Sequence, residues 1–258
     1  MTAGPVMQLS ALTKTFGGVK ALSGVDLAVS RGEIVSIIGP NGAGKTTIFN
    51  MICRLYEPTS GAIAFEGADL LARRPHHLAA LGIGRTFQNL ALFRHGTVIE
   101  NLLVGMHAHL RSGVLAGAIH FGRSRNEEIR AREFAEEIID FLNIEEIRHH
   151  PVSALPYGLR KRVELGRALC TRPKLLLLDE MVSGMNQEET EDIARFVLDL
   201  RDELGMTVVM IEHDMKIVMD ISDRILVLNF GTPIACGTPQ EIAGNPAVIE
   251  AYLGGSAS

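Results

Sequence analysis

Residues 39–46 read GPNGAGKT, which fits the phosphate-binding loop pattern GxxxxGK[ST]. The loop follows the apolar run EIVSII (33–38) and precedes the amphipathic segment TIFNMICRLY (47–56). Between a strand and a helix, glycines let backbone N–H groups converge on phosphate oxygens, and the helix N-terminus adds positive potential. The stretch therefore predicts an α/β fold with a nucleotide site at the end of a strand.

Individual positions of this loop have separate expected roles. Lys45 can bridge the β- and γ-phosphates of a nucleoside triphosphate, and the Thr46 hydroxyl can ligate Mg²⁺. The predicted nucleotide-binding residues of the loop are Gly39, Pro40, Asn41, Gly42, Ala43, Gly44, Lys45, Thr46 and Thr47.

Polar residues end two further apolar strands. Asp179 and Glu180 close KLLLLDE (174–180), and His213 closes MTVVMIEH (206–213). An aspartate at the tip of a buried parallel strand suits Mg²⁺ coordination, and a second carboxylate can act as general base. An imidazole at the same edge could contact the γ-phosphate. We expect these side chains to meet the phosphate loop.

Two other residues, Gln88 and Phe16, are candidates for the nucleotide site, but the sequence alone also allows a structural role for each. The Gln88 amide, in GRTFQNLALF, could contact Mg²⁺ and the attacking water, or be structural. The Phe16 ring, after the first predicted strand, could stack on a nucleotide base or pack in the core.

The arrangement of predicted elements divides the chain. Strands alternate with helices over 1–84 and 167–258, which predicts a parallel sheet with right-handed crossovers. Helical spacing dominates 85–166, including NEEIRAREFAEEIIDFLNI (126–144). We interpret this region as a helical subdomain inserted into the α/β core.

Composition excludes some classes of partner. The chain has 25 basic and 30 acidic side chains, a net charge of −5, whereas a nucleic-acid-binding protein is usually basic. The opening MTAGPVMQLSALTK has no basic segment followed by an apolar one, and no apolar run is long enough to cross a bilayer. We predict a soluble protein that could dock onto a membrane protein.

Taken together and in this order, these motifs resemble the ATP-binding subunit of ABC transporters over nearly the whole chain. The resemblance implies a P-loop NTPase core with an N-terminal antiparallel β subdomain and an inserted helical subdomain. It also implies that Phe16 stacks on adenine, Glu180 is the general base, and His213 contacts the γ-phosphate. ATP and Mg²⁺ would be the substrate and the cofactor.

Several segments are similar to the ATPase of branched-chain amino acid importers. They are TKTFGGVKAL, GIGRTFQNLALF, MIEHDMKIVMDISDRILVLNFGTPIACGTP and VIEAYLG, together with the insertion near 107–130. The resemblance implies two ATPase chains, often different proteins, on the cytoplasmic face of two permeases that a periplasmic solute-binding protein supplies. A groove near Gln88 would receive a permease helix.

The chain departs from the family pattern at two places. Where the family has LSGGQ or LSYGQ, which contacts the ATP held by the opposite subunit, this chain has Leu155, Pro156, Tyr157, Gly158 and Leu159. Pro156 lacks a hydroxyl and a backbone N–H. Met181 follows Glu180 where proline is usual. The altered signature predicts an asymmetric heterodimer, although a homodimer stays possible.

Two other functions remain open at this point. Nucleotide subunits of envelope lipid or lipopolysaccharide exporters look similar, but the insertion and the AYLG ending favour import. An ABC-type regulatory switch without transport is favoured by the altered signature. It is disfavoured by Glu180, His213 and the single ABC unit.

Overall fold

The computed structural model of the chain describes residues 4–86, 91–106 and 123–253. The strands in these ranges are β1 (Met7–Phe16), β2 (Val19–Val29), β3 (Ile34–Ile38), β4 (Ser60–Phe65), β5 (Ala68–Asp69), β6 (Ile83–Arg85), β7 (Leu175–Asp179), β8 (Thr207–Ile211), β9 (Arg224–Asn229) and β10 (Thr232–Gly237). The α-helices are α1 (Lys45–Ile52), α2 (Leu78–Leu81), α3 (Val98–Gly105), α4 (Arg123–Phe141), α5 (Tyr157–Leu169), α6 (Gln187–Asp202), α7 (Met215–Ile221), α8 (Pro239–Ala243) and α9 (Pro246–Leu253).

The chain divides into two compact units. Unit 1 comprises Met1–Leu78 and Leu177–Ser258, and unit 2 comprises Ala79–Leu176. The predicted helical range 85–166 falls inside unit 2. Its assignment as a functional subdomain, with limits at 84/85 and 166/167, stays a prediction.

An antiparallel sheet in unit 1 has the strand order β2-β1-β4-β5, as the resemblance implied. Side chains alternate along β1 between core and surface, with Met7 and Leu9 buried. A bulge interrupts the alternation at Ala11, whose φ is 46° and whose N–H donates to Asp26. The bulge returns Leu12 to the core face, because it inserts one unpaired residue.

The second sheet of unit 1 contains the strands that carry the predicted site. Its order is β10-β9-β3-β8-β7, with β3 parallel to β8 and β9 and with β10 antiparallel to β9. Every residue of β3, β7 and β8 is buried, which explains their largely apolar sequences. Phe230 and Gly231, both at positive φ, form the two-residue turn of the predicted β9–β10 hairpin.

Helix α1 is shorter than the amphipathic pattern predicted. The pattern ran to Tyr56, but the helix ends at Ile52 and Arg54 adopts a left-handed conformation with φ 59°. The N–H groups of Leu55 and Tyr56 then donate to the carbonyl of Asn50, which closes the turn.

Unit 2 contains α3, α4 and α5, as its helical sequence pattern predicted. Helix α3 begins with a capping box between Thr97 and Glu100. Gly105 ends it against α5, and a Cβ there would lie 2.3 Å from the Arg167 carbonyl oxygen. Gln88 and residues 107–122 of the predicted insertion lie outside the described residues. Among the described helices none is long and apolar enough to span a bilayer.

Candidate functional site

The phosphate loop requires glycine where it passes other strands of unit 1. Gly39 has φ 147°, and a Cβ there would lie 2.1 Å from the Leu228 carbonyl oxygen in β9. Gly44, the N-cap of α1, has φ 97°, and its Cβ would lie 2.7 Å from the Ala21 carbonyl oxygen. A side chain at either position would displace the loop, so both glycines fix its path between β3 and α1.

Lys45 is held under this loop with only 6% of its surface exposed. Its Nζ donates to the carbonyl oxygens of Gly39 at 2.7 Å and Pro40 at 3.1 Å. Burial lowers the pKa of Lys45, and the negative charges of Glu180 and Asp179 oppose that shift. The structure thus brings the loop lysine close to both carboxylates at the end of β7.

Glu180 occupies a strained backbone position at the tip of β7. Its φ is 51°, a left-handed conformation that is uncommon for residues other than glycine. Its N–H donates to the carbonyl of Ile211 in β8 at 2.9 Å. The Nε2 atom of His213 lies 2.8 Å from Glu180 Oε1, so the two predicted catalytic side chains contact each other.

The donors predicted for Mg²⁺ are oxygen atoms, which this cation prefers. Thr46 is exposed at the start of α1, and Asp179 is 1% exposed at the end of β7. The third predicted donor, Gln88, lies outside the described residues. Within the described ranges no three His, Cys, Asp or Glu side chains form a metal cluster. A site with only a few protein donors is compatible with Mg²⁺, because this cation usually keeps several water ligands and also binds the phosphates of the substrate.

Phe16 is exposed at the end of β1, so the core alternative for this residue is wrong. Its ring is 41% exposed and contacts Tyr56 edge-on, with ring centroids 5.1 Å apart. Lys14 Nζ lies 4.7 Å from the Phe16 centroid. An aromatic pair on the surface of unit 1 is available to a flat ligand.

The altered signature forms the start of α5 in unit 2. Pro156 is the N-cap residue, with φ −54° and ψ 159°, and no side chain caps the helix. Leu155 and Gly158 are buried, Leu159 is partly buried, and Tyr157 is 38% exposed. The helix therefore begins regularly without the hydroxyl, and its first N–H groups keep the partial positive charge of a helix start.

The same helix carries the basic run Arg160, Lys161 and Arg162. Both arginines are partly buried, and Lys161 is 1% exposed. Its Nζ lies 3.9 Å from Oε2 of Glu164, which is also 1% exposed. Burying either charge alone would be costly, and the attraction between the two opposite charges offsets part of that cost.

Glu212, immediately before His213, is a candidate that the motif-based prediction missed. It is 3% exposed, and its Oε1 accepts the N–H of Val182 at 3.2 Å. Burial, and to a smaller extent the charge of Glu180, raises the pKa of Glu212 to about 7. Hydrogen bonds from the amides of Val182, Met181 and His213 act in the opposite direction. A carboxylate within the apolar run MTVVMIEH was the signal available in the sequence.

Known families match most of this chain. The sequence profile of the ABC transporter family matches residues 22–183. A second profile, described as the branched-chain amino acid ATP-binding cassette transporter, matches residues 232–258. The second match covers β10, α8 and α9, and thus includes the AYLG ending noted in the sequence.

Individual proteins are similar over nearly their whole length. The high-affinity branched-chain amino acid transport ATP-binding protein BraF of Pseudomonas aeruginosa is 45% identical, covering 97% of this chain and 98% of BraF. A solved ATP-binding cassette of an ABC transporter in its ADP conformation is 34% identical, with a TM-score of 0.84 and coverage of 97% and 99%. A dimeric cassette bound to ADP and Pi is 26% identical, with a TM-score of 0.77 and coverage of 90% and 98%.

Proposed function

The chain belongs to the ABC transporter family and is an ATPase, and we propose that it is the ATP-hydrolysing subunit of an importer of branched-chain amino acids or a related small polar solute. The observation that carries this proposal is the near full-length similarity to BraF together with the profile match at 232–258. A match to the ABC domain alone would not distinguish an importer from an exporter or a regulatory protein, because all three classes contain this domain.

ATP would bind on unit 1 along the phosphate loop. Amide groups at the start of α1 and the Lys45 ammonium would hold the phosphates, while the Phe16 ring would stack on adenine. The Thr46 hydroxyl and the Asp179 carboxylate would hold Mg²⁺, with Gln88 as a further donor. When bound, the cation would neutralise phosphate charge. Proximity of Lys45 to Asp179 and Glu180 supports a single site for these groups.

Hydrolysis would depend on Glu180 as general base. Its carboxylate would accept a proton from the water that attacks the terminal phosphorus atom. His213 Nε2 already lies 2.8 Å from this carboxylate. If the same nitrogen contacts the γ-phosphate, the imidazole has to leave Glu180, and the released carboxylate oxygen can then accept the water proton.

The subunit would work as a peripheral protein on the cytoplasmic face of the membrane. Its proposed partners are two integral-membrane permease chains, a second ABC ATPase chain and, indirectly, a periplasmic solute-binding protein. The dimeric relative supports pairing of two cassettes. A different second chain is favoured, because Pro156 would weaken only the site that holds the partner's ATP.

The proposed function is tested by purifying the tagged chain in mild detergent from its own cells. We expect a multi-span permease to copurify, and we expect leucine-loaded binding protein to stimulate ATP hydrolysis by the reconstituted complex. If a permease copurifies but another solute stimulates ATP hydrolysis by the complex, the proposed solute is wrong. If no permease copurifies and the chain still dimerises with ATP, the proposal of a transport function is wrong and a regulatory function is favoured.

Restoring the signature serine tests the proposed asymmetry. Pro156→Ser returns a hydroxyl and a backbone N–H to the start of α5, and a hydrogen bond to a charged phosphate contributes about 1.5–3 kcal/mol. We expect ATP turnover to rise about tenfold where this signature is the limiting one. Pro156→Ala is the matched control, because it restores the N–H without the hydroxyl. Unchanged or slower turnover in Pro156→Ser contradicts the idea that the hydroxyl is missed.

Removal of the loop ammonium tests nucleotide binding directly. Lys45→Ala deletes a cation that lies against the phosphate loop, so we expect ATP affinity to fall about 10- to 100-fold, as for a lost charge-assisted hydrogen bond. Isothermal titration with Mg·ATP measures the change. Lys20→Ala, an exposed lysine on β2, should bind ATP like the unchanged chain. If Lys45→Ala and Lys20→Ala bind Mg·ATP with equal affinity, Lys45 is not part of the nucleotide site.

A further inference from the structure

Three consecutive residues at the end of β8, Ile211 to His213, contact Glu180 and Val182, which follow β7. The Ile211 carbonyl accepts the N–H of Glu180 at 2.9 Å. The Glu212 carboxylate accepts the N–H of Val182 at 3.2 Å. The His213 imidazole lies 2.8 Å from the Glu180 carboxylate. The backbone and the side chain of Glu180 are therefore both fixed from the same three-residue segment.

Glu212 is the residue of this segment that the proposed reaction does not use. A carboxylate that is 3% exposed is costly to bury, unless hydrogen-bond donors compensate it. The donor at this position is the backbone N–H of Val182, which lies 3.2 Å from Glu212 Oε1. Val182 belongs to the turn that directly follows Glu180, so the Glu212 side chain connects the end of β8 to that turn.

Met181 lies between Glu180 and Val182 in this turn, and it is 1% exposed. Burial of this apolar side chain also stabilises the turn.

We propose that Glu212 is a positioning residue for Glu180, whose carboxylate fixes the Met181–Val182 turn and thereby the direction in which Glu180 faces the attacking water. The inference rests on the proposed role of Glu180 as general base. Glu180 has φ 51°, a conformation that persists only where its surroundings hold it. The Ile211 carbonyl holds this residue on its N–H side, and Glu212 holds the chain on its C-terminal side.

The contrasting interpretation is that Glu212 only stabilises the fold. A stabilising residue would change the melting temperature and leave the turnover of folded protein nearly unchanged. A positioning residue changes kcat with little effect on KM, because substrate binding uses the phosphate loop and not the Glu212 carboxylate. Its effect should also disappear once Glu180 itself can no longer act as a base.

The experiment compares Mg·ATP hydrolysis by folded Glu212→Ala, Glu212→Asp and Glu212→Gln variants, in complex with partner chains if turnover requires them. Alanine removes the acceptor and aspartate shortens its reach, so we expect kcat to fall about 10- to 100-fold, as for a misplaced catalytic group. KM should stay within about twofold. Glutamine keeps an oxygen that accepts from the turn, so it should retain most of kcat. If Glu212→Ala does not fold, the comparison of kcat between Glu212→Asp and Glu212→Gln still tests the proposal.

A double-mutant cycle and a control complete the test. In a Glu180→Gln background, Glu212→Ala should lower single-turnover hydrolysis no further. Asp223→Asn is the matched control, because Asp223 accepts a backbone N–H from Ile34 at the opposite end of β3. Unchanged kcat in Glu212→Ala, or additive losses in the cycle, would overturn the inference. If Glu180→Gln alone keeps full kcat, the general-base proposal fails instead, and the two failures are distinguishable.

Discussion

Glu180→Gln should abolish nearly all ATP turnover while leaving ATP binding intact. A positioned general base contributes about 10²- to 10⁴-fold to a rate, and the glutamine amide keeps the shape of the side chain but cannot accept the water proton. The phosphate loop and Lys45 are unchanged, so the variant should accumulate in the ATP-bound state. Steady-state hydrolysis and light scattering with Mg·ATP measure the two effects.

The same measurement separates the two possible dimers. An ATP-dependent homodimer of Glu180→Gln would mean that the segment Leu155–Leu159 still closes on phosphate. A monomer that binds ATP would indicate a different obligate partner chain or a need for the permease, and adding candidate partners separates these. Glu203→Gln, on an exposed residue after α6, should keep normal turnover. Normal turnover in Glu180→Gln as well would exclude Glu180 as the base.

Much of the site was predictable from the sequence because local rules determine it. GPNGAGKT requires a particular backbone, and the structure gives the reason in the carbonyl oxygens that would meet a Cβ at Gly39 and Gly44. The ends of the strands LLLLD and VVMI could be predicted from their apolar runs, because buried parallel strands carry few polar residues before they end. Their meeting at one sheet edge follows from parallel strand order.

Burial and contacts that depend on tertiary packing were not predictable in this way. Lys161 and Glu164 are buried, but the sequence does not reveal which side of α5 is covered. The hydrogen bond from Val182 to Glu212 joins the segments that follow β7 and β8, and these two residues lie 30 positions apart in the sequence. A single sequence shows that a carboxylate interrupts an apolar run, but only the fold shows which backbone N–H donates to it.

The buried carboxylate of Glu212 should make stability depend on pH in the neutral range. Its pKa is raised from 4.5 to about 7, mainly by burial. The folded protein therefore binds a proton that the unfolded chain releases between these values. Stability from this group is fully present below pH 4.5 and is lost as pH rises through 7. Since one pKa unit corresponds to about 1.4 kcal/mol, the whole loss is about 3 kcal/mol.

The Glu212→Gln variant isolates the contribution of Glu212 to the pH dependence of stability, because glutamine stays neutral at every pH. The free energy of unfolding of the variant, minus that of the unchanged chain, should increase by about 3 kcal/mol between pH 4 and pH 8 in urea titrations. Glu241→Gln is the control with the opposite sign. Hydrogen bonds from Thr238 lower the pKa of Glu241, so its contribution is lost only as pH falls below about 4.5. A difference curve for Glu212→Gln that is flat from pH 5 to 8 would mean that Glu212 is ionised throughout this range. Its hydrogen bonds from the turn after Glu180 would then outweigh the cost of burying its charge.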